Sequence, residues 1–468
     1  MFNGNETYLR STLAFCDQCN KTELARITAR ENGVFMERLC HVHGVERVKI
    51  AKFPAWYIER TSRPRPAHEI KDRVPSHKGC PFDCGPCQWH TGGIHLPVFS
   101  ITNDCNLNCP ICFTYNRPDL KYYKSVEETK QIIGHIVDKS GGVQLINLTG
   151  GEPTLHPDLF AILAACRSEG IGRITMNTNG IRIAEDERFA ERIKEAGVQL
   201  VLSLDTLDPE KSRIIHGKDI TGFKKACLDR LAKLNIPTTI LPVCIKGVNE
   251  SDVADIVHTY LRKPFVRSIT VQNMTFTGKN GSRFQPRDHV TMDEIEELLS
   301  TKDGINRDDF FSLSSYHPLC YSAAYYIVRD EQLISLTGIL DKELISQMSA
   351  GVYYLNPDHD ISAEFRDGIN RMWASGADEK TIGILKKFLS DLYPGGRQAP
   401  QVEQRRLLES WVKMVLVHPH MDRDNFDIDR VSSCGDMVPD ETGRMIPACS
   451  YNLLYRQKDQ RFWMEDDV

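Results

Sequence analysis

The sequence predicts an α/β protein: a partial (β/α)6 barrel with a small metal-binding unit ahead of it and a largely helical, metal-binding region behind. Three observations carry that prediction. Six short apolar runs, at 97–102, 145–148, 174–177, 200–204, 238–245 and 268–274, recur with gaps that can hold crossover helices, the pattern of a parallel sheet. A cysteine triplet directly follows the first run, and such barrels carry their functional groups on loops at the carboxyl ends of the strands. Two close cysteine and histidine pairs occupy the first fifty residues, the geometry of a metal knuckle that pins a unit too small for a core of its own.

At 468 residues the chain exceeds one typical core and should hold two or three packing units. The units read as 1–75, an auxiliary loop at 76–96, the barrel at 97–300 and the C-terminal region at 301–468. A net charge of −5, with 41% hydrophobic and 26% charged residues, gives no electrostatic signal for nucleic acid. No run approaches the roughly 18 to 20 apolar residues of a membrane span, and the start Met-Phe-Asn-Gly-Asn-Glu lacks a signal-peptide pattern. The expected location is cytoplasmic, with at most peripheral membrane association. Thiols stay reduced there, so clustered cysteines favour metal over disulfides. Of fifteen cysteines, Cys166, Cys227 and Cys244 fall inside expected helices or strands and read as core packing.

In the N-terminal unit, Cys16 and Cys19 form one pair. Cys40 begins the second, completed by His43 or His41. Zinc and a mononuclear iron fit these ligands equally well. Next comes Cys80-Pro-Phe-Asp-Cys84-Gly-Pro-Cys87, in a Gly- and Pro-rich loop. The same spacing returns after the first barrel run as Cys105-Asn-Leu-Asn-Cys109-Pro-Ile-Cys112-Phe113. Three thiolates on one loop can hold three corners of a [4Fe–4S] cube and leave the fourth iron open. Structural zinc usually takes four closed ligands, so a zinc knuckle is the weaker reading of this loop.

After the second run comes Gly150-Gly151-Glu152-Pro153. Paired glycines let the backbone turn sharply and approach a ligand without a Cβ in the way. The third run ends in Asn179-Gly180, which reads as cap and turn chemistry. The fourth contains Ser203 and Asp205 at its polar end.

Taken in order, Cys105, Cys109, Cys112 and Phe113, then Gly150 to Pro153, resemble the signature of the radical S-adenosylmethionine (SAM) enzymes. The resemblance implies that the open iron takes the amino and carboxyl groups of SAM. One electron from the cluster then splits SAM into methionine and a 5′-deoxyadenosyl radical. It implies that the Gly-Gly-Glu-Pro turn binds the SAM amino group and that Ser203 and Asp205 meet its ribose; the segment 243–249 matches the adenine-contacting stretch loosely. Cys80, Cys84 and Cys87 are then an auxiliary [4Fe–4S] site.

The tail, from Asp422 through Phe426 and Arg430 to Cys434 and on through Arg444 and Pro447 to Cys449 and Asn452, is similar to the tetraether lipid synthase group, also described as dihydropterin methyltransferase-like radical SAM proteins. That resemblance implies three [4Fe–4S] clusters and one rubredoxin-like iron, with Cys320, Cys434 and Cys449 in the third cluster. After Cys434 the chain reads Gly-Asp-Met, so the fourth ligand of that cluster is open. An electron donor such as ferredoxin or flavodoxin is implied. The expected reaction activates an unreactive C–H bond, for carbon–carbon bond formation on lipid chains. The alternatives are functionalisation or methylation of a reduced pterin-like heterocycle and, in a different class, an iron–sulfur redox-sensing scaffold. A lipid substrate calls for an apolar tunnel. Leu333, Leu336, Leu340 and Leu344, with Ile382, Ile384, Leu385, Phe388 and Leu389, lie at helical spacing and are expected to wall it.

Overall fold

The computed structural model describes residues 6–16, 18–19, 21–62, 73, 75–116, 119–140, 145–349, 355 and 360–459. The N-terminal unit is an antiparallel meander of four strands, β1 (Thr7–Cys16), β2 (Lys21–Arg30), β3 (Gly33–Cys40) and β4 (Gly44–Ala51). Alternation aims Ala25, Ile27 and Ala29 of β2 inward, as the two-residue period of a strand requires. The β1–β2 and β3–β4 turns lie at the same end of the sheet, which brings the two metal-binding pairs together. The apolar face of this sheet continues into the core of the main body. The amides of Lys52 and Phe53 donate to Asp293 Oδ2 at 2.8 and 2.7 Å, and Trp56 Nε1 donates to Glu296 at 2.7 Å.

The barrel runs through β5 (Leu96–Thr102), β6 (Leu145–Gly150), β7 (Arg173–Thr178), β8 (Gln199–Ser203), β9 (Thr238–Leu241), β10 (Val243–Cys244) and β11 (Val266–Asn273). Strands β5, β6, β7, β8, β9 and β11 pair in that order, all parallel. The fifth expected run is split into β9 and β10 at Pro242, which has no N–H to give a sheet. Cys166, Cys227 and Cys244 are fully buried in the main core.

The C-terminal region, expected to be largely helical, carries the helices Lys342–Met348, Ser362–Ala374, Glu379–Leu392 and Gln401–Trp411, and also extends the sheet. Its strands are β12 (Phe311–Ser312), β13 (Ser322–Arg329), β14 (Gln332–Ser335), β15 (Val412–Val417), β16 (Asp436–Pro439) and β17 (Met445–Pro447). Strand β15 adds parallel to β11, β13 antiparallel to β15, and β16 parallel to β5 on the opposite edge. Val412–Val417 is buried on both faces and apolar but for Lys413, whose Nζ donates to the carbonyls of Leu261 and Lys263, so it reads as an interior strand that is easily hidden beside helices.

The leucine stripe expected over 333–344 is not one helix. Leu333 lies in β14, Leu336 opens a 3₁₀ turn and Leu344 sits in the following helix. The short reversal after β13 overrides the four-residue spacing. Helix Glu379–Leu392 does form, and Ile382, Ile384, Leu385 and Phe388 pack with Phe365 and Trp411 in a second core. Among the described residues no helix is long and apolar enough to cross a membrane.

Candidate active site and metal centres

The cluster loop leaves the carboxyl end of β5 and is clamped by its neighbours. The Gly151 amide donates to the Thr102 carbonyl at 2.8 Å, and the Glu152 amide to the Asp104 carbonyl at 2.7 Å. A Cβ on Gly150, at φ +142°, would lie 2.1 Å from the Thr102 carbonyl oxygen, and one on Gly151 2.2 Å from that of Asp104. These two glycines are therefore required by close backbone approach, independently of any ligand. On the other side the Gly281 amide donates to the Cys112 carbonyl at 2.8 Å, and Asn280 Nδ2 donates to the Cys109 carbonyl at 3.0 Å. This second clamp, the loop after β11, was not legible in the sequence.

Cys105, Cys109, Cys112 and Phe113 face one cavity of about 390 Å³. Burial pushes the Cys105 thiol up to about 12, with the Glu152 carboxyl and the neighbouring thiol adding to the effect, and raises Cys109 as well. Thiols so crowded and desolvated need a cation or cluster iron to be held as thiolates. Glu152 is fully buried. Its Oε1 accepts from the Thr154 amide (3.1 Å), the Thr154 hydroxyl (2.7 Å) and the Thr178 hydroxyl (2.9 Å), while Oε2 accepts from the Asn179 amide (2.7 Å). Oε2 keeps room for another donor. Pro153 opens the 3₁₀ turn that Glu152 caps.

Ser203 and Asp205 also line the cavity. Asp205 accepts from the Val243 amide at 2.7 Å, and burial pushes its carboxyl up to about 6. Lys224 is buried beneath them and donates to the carbonyls of Asn179 (2.7 Å) and Ser203 (2.5 Å), tying β7 to β8. His216 lies with Nδ1 3.7 Å from Cys109 Sγ and Nε2 3.5 Å from Asp205 Oδ2. Burial and the Lys224 ammonium hold it down to about 3, so it is neutral. Sequence reasoning missed Lys224 and His216, which sit in helices with no spacing signal.

The cavity continues down the barrel. Strands β6 to β11 contribute the polar Asn147, Thr175, Asn177, Gln199, Thr239 and Ser268 together with the apolar Leu145, Val201, Leu241 and Val243, while β5, β15 and β16 contribute Leu96, Val98, Val412, Met414, Leu416 and Val438 with Asp436. Asn177 Oδ1 is buried without a hydrogen-bond partner. The inward polar positions alternate along their strands, a signal present in the sequence. None of the residues expected to wall a lipid tunnel lines this cavity: those of the Glu379–Leu392 helix pack into the second core, with Leu389 and Leu344 at its margin, and Leu333 packs on the main core.

At the N-terminal hairpin tips, Cys16 Sγ is 3.4 Å from His43 Nδ1, Cys40 Sγ is 3.5 Å from the same nitrogen, and Cys19 Sγ is 3.9 Å from Cys40 Sγ. Tetrahedral ligation at a Zn–S distance near 2.3 Å puts ligand atoms about 3.8 Å apart, so this set fits one ion. His43 completes it; His41 is exposed and faces Glu23. Among the described residues, the thiols of Cys105, Cys109 and Cys112 do not close to the 4.8 Å that contains the N-terminal set, nor do those of Cys80, Cys84 and Cys87 or of Cys320, Cys434 and Cys449. These three sets are too wide for one ion.

The loop bearing Cys80, Cys84 and Cys87 lies against the tail. The Cys84 amide donates to Tyr455 Oη at 2.8 Å, and that hydroxyl donates to the Pro81 carbonyl at 2.9 Å. Phe82 of this loop meets Phe15, beside Cys16, at a ring separation of 6.3 Å, and Phe15 meets Phe426 at 6.2 Å. Cys320 and Cys449, far apart in the chain, both face the buried Arg430 guanidinium, and Cys434 lies near both thiols.

A parallel barrel with three thiols after its first strand and a Gly-Gly-Glu-Pro turn after its second defines the class, and residues 99–260 match the model of the Radical SAM superfamily. These residues are a Radical SAM domain, and the protein is a radical SAM enzyme. Its N-terminal residues 8–52 match the HMPTM N-terminal zinc ribbon domain. The chain is 25% identical, over 96% of its length and 94% of the relative's, to the 7,8-dihydro-6-hydroxymethylpterin dimethyltransferase of Methanocaldococcus jannaschii. It is 34% identical to the probable GTP 3′,8-cyclase of Pyrococcus horikoshii across 34% of this chain, and spans about half (49%) of that relative's length. The solved structure of Streptococcus suis SuiB bound to S-adenosylmethionine has a TM-score of 0.39 at 17% identity, covering 58% of this chain and 66% of its own.

Proposed function

We propose that this radical SAM enzyme functionalises or methylates a reduced, pterin-like heterocycle at an unreactive C–H bond. The observation that carries the reading is the set of inward polar side chains in the cavity: Asn147, Thr175, Asn177 and Gln199 can pair with the edge of a flat heterocycle, and the apolar side chains among and opposite them can cover its face. The full-length relatedness to a dihydropterin dimethyltransferase supports the same choice. The lipid-coupling reading asks for a long apolar tunnel. The side chains expected to form one lie in the cores and not along the cavity. The Radical SAM match over residues 99–260 argues against the redox-sensing scaffold.

In this proposal Cys105, Cys109 and Cys112 hold a [4Fe–4S] cluster, and the loop after β11 fixes their backbone. Glu152 offers Oε2 to the SAM amino group, while Ser203 and Asp205 face its ribose. When bound, the cluster and SAM supply a 5′-deoxyadenosyl radical able to abstract hydrogen from carbon. Lys224 holds the two strand ends that carry Asn179 and Ser203. Asn147, Asn177 and Gln199 orient the substrate edge, and Phe113 shields the mouth of the cavity from water. Cys80, Cys84 and Cys87, and Cys320, Cys434 and Cys449, hold two auxiliary clusters, and Cys16, Cys19, Cys40 and His43 hold one structural metal ion. Electrons come from a donor of the ferredoxin or flavodoxin kind, in the cytoplasm.

The test is 5′-deoxyadenosine formation by anaerobically reconstituted protein with SAM and a reductant, in the presence of a reduced 6-hydroxymethylpterin or of a lipid extract. Stimulation by the pterin, with a mass change on its ring system, is the expected result. Stimulation by the lipid extract alone overturns the reading.

A further inference from the structure

The cavity runs the whole length of the barrel. At the carboxyl ends of the strands it is lined by the Cys105–Cys112 loop and the Gly-Gly-Glu turn; at the amino ends it is lined by Leu96, Leu145, Arg173, Gln199 and Val412, the first residues of β5, β6, β7, β8 and β15. Parallel barrels ordinarily fill their interior with layers of bulky branched side chains. Here Thr175, Thr239, Ser268 and Thr270 take lining positions, and side chains so short leave a bore. From Arg173 to Thr178, beside the Glu152 carboxylate, β7 rises about 16 Å. The bore is longer than a bicyclic ring.

Its lower end is charged. Arg173 and Arg267 line the cavity there, together with Glu409 of the helix Gln401–Trp411. The Arg173 guanidinium pairs with the Glu409 carboxylate, and both side chains are part-buried. Among the described residues Arg267 makes a single hydrogen bond, a long one of 3.4 Å from Nη1 to the Pro264 carbonyl. Burial lowers its guanidinium from the ordinary value, with Arg173 adding to the effect and Glu409 opposing it. Two guanidiniums thus share one carboxylate. Arginine keeps its charge in proteins and carries five N–H donors, so this end of the bore holds net positive charge and donors still to be used.

Between the two ends the polar lining, Asn147, Thr175, Asn177 and Gln199, is uncharged. That middle suits the edge of a neutral ring. The lower end suits an oxyanion, because the planar fork of a guanidinium matches a phosphate in geometry as well as in charge.

We propose that Arg173 and Arg267 form an oxyanion site at the amino end of the barrel, and that the substrate is a phosphate or diphosphate ester. Its ring lies among Asn147, Asn177 and Gln199, and its phosphate reaches down to the two guanidiniums. Glu409 holds Arg173 before substrate arrives and competes with the phosphate for it. The inference rests on the heterocycle reading for the ring; the hydroxyl of a 6-hydroxymethylpterin is where the ester is carried.

The test compares two forms of one ring with the reconstituted full-length protein, SAM and a reductant. Reduced 6-hydroxymethylpterin and its diphosphate ester are each titrated for 5′-deoxyadenosine formation. The ester is expected to have the lower KM by roughly ten- to a hundredfold, the worth of hydrogen bonds to a charged group. Arg267→Gln should erase most of that preference. Glu409→Gln, which takes away the competing carboxylate, should lower KM for the ester further, whereas a purely structural Arg173–Glu409 pair predicts the opposite. Equal KM for the two forms in the wild type overturns the inference, as does a preference that survives Arg267→Gln. Where that variant fails to fold, a KM for the ester that rises in Glu409→Gln overturns it too. Calorimetry with inorganic diphosphate, on protein without substrate, separates this inference from the reading beneath it. If neither pterin stimulates, the heterocycle reading fails; diphosphate binding that Glu409→Gln strengthens then upholds the oxyanion site, and no binding in the wild type overturns it.

Discussion

The amide nitrogen of Glu152 lies 2.7 Å from the carbonyl oxygen of Asp104 and donates to it. Asp104 immediately precedes the first cysteine of the cluster loop, so the turn expected to bind SAM and the loop expected to hold the iron are one hydrogen-bonded unit. A Cβ at Gly151 would lie 2.2 Å from that same carbonyl.

Gly151→Ala therefore forces the two loops apart without touching a thiol. Overpacking of this kind costs about 1 to 3 kcal/mol, and a displacement near 1 Å costs about 10²-fold in rate. The expected outcome is near-normal iron loading with weakened SAM binding and 5′-deoxyadenosine formation reduced about 100-fold, read by iron assay, equilibrium binding and product analysis.

Lys224→Met removes a buried cation whose ammonium joins Asn179 and Ser203. Hydrogen bonds to a charged group are each worth about 1.5 to 3 kcal/mol, against which the cost of burying the charge is recovered. A net destabilisation of about 2 kcal/mol is expected, with SAM affinity lowered. Chemical denaturation of the variant measures the first and a binding titration the second.

Asn177→Leu keeps volume and removes a buried acceptor that has no partner within the protein. Substrate that pairs with it loses about 1 to 3 kcal/mol. KM for the reduced heterocycle should rise at least several-fold, while SAM cleavage without substrate stays unchanged. An unaltered KM would remove Asn177 from the recognition wall.

Metal removal from the N-terminal site should be felt beyond it, because Phe15 beside Cys16 packs on Phe82 and Phe426. Cys19→Ala, which leaves three of the four ligands, should release the single ion and speed hydrogen exchange in β1 to β4. The auxiliary loop around Phe82 should loosen with them. Exchange confined to the hairpin tips would show that the ribbon does not support the cluster regions.

Acid sensitivity is expected from Glu37, which is buried and accepts from Arg26 at 2.5 Å, Arg47 at 2.6 Å and Arg30 at 2.8 Å. Burial alone would raise its carboxyl, but the Arg47 and Arg26 guanidiniums hold it below the usual range. A carboxyl lowered in the folded state contributes stability that is complete above its unfolded value, near 4.3, and is lost as pH falls through the folded one. Glu37→Gln should flatten the acid limb of a stability-against-pH curve while lowering stability at neutral pH.

The sequence by itself determined the features that are local in the chain. The six barrel strands are short apolar runs, and each forms where its run lies because the apolar pattern that marks it for burial is written within its own segment, although its hydrogen-bond partners are other strands. Cys105 to Cys112, Gly150 to Pro153 and the pairs at Cys16 and Cys40 are legible for the same reason: ligands on one turn are fixed by spacing. Tertiary structure decided what joins distant segments. It replaced the leucine stripe at 333–344 by a strand, a turn and a helix, and it placed β15 in the interior of the sheet. It also set His43 rather than His41 among Cys16, Cys19 and Cys40, buried Lys224 between two strand ends, and brought His420 into contact with Cys449. Spacing along a chain fixes contacts between residues a turn or a strand apart. Closure of the sheet, with burial of its apolar faces, sets which remote side chains share a volume, and neither composition nor periodicity encodes that choice in any one place.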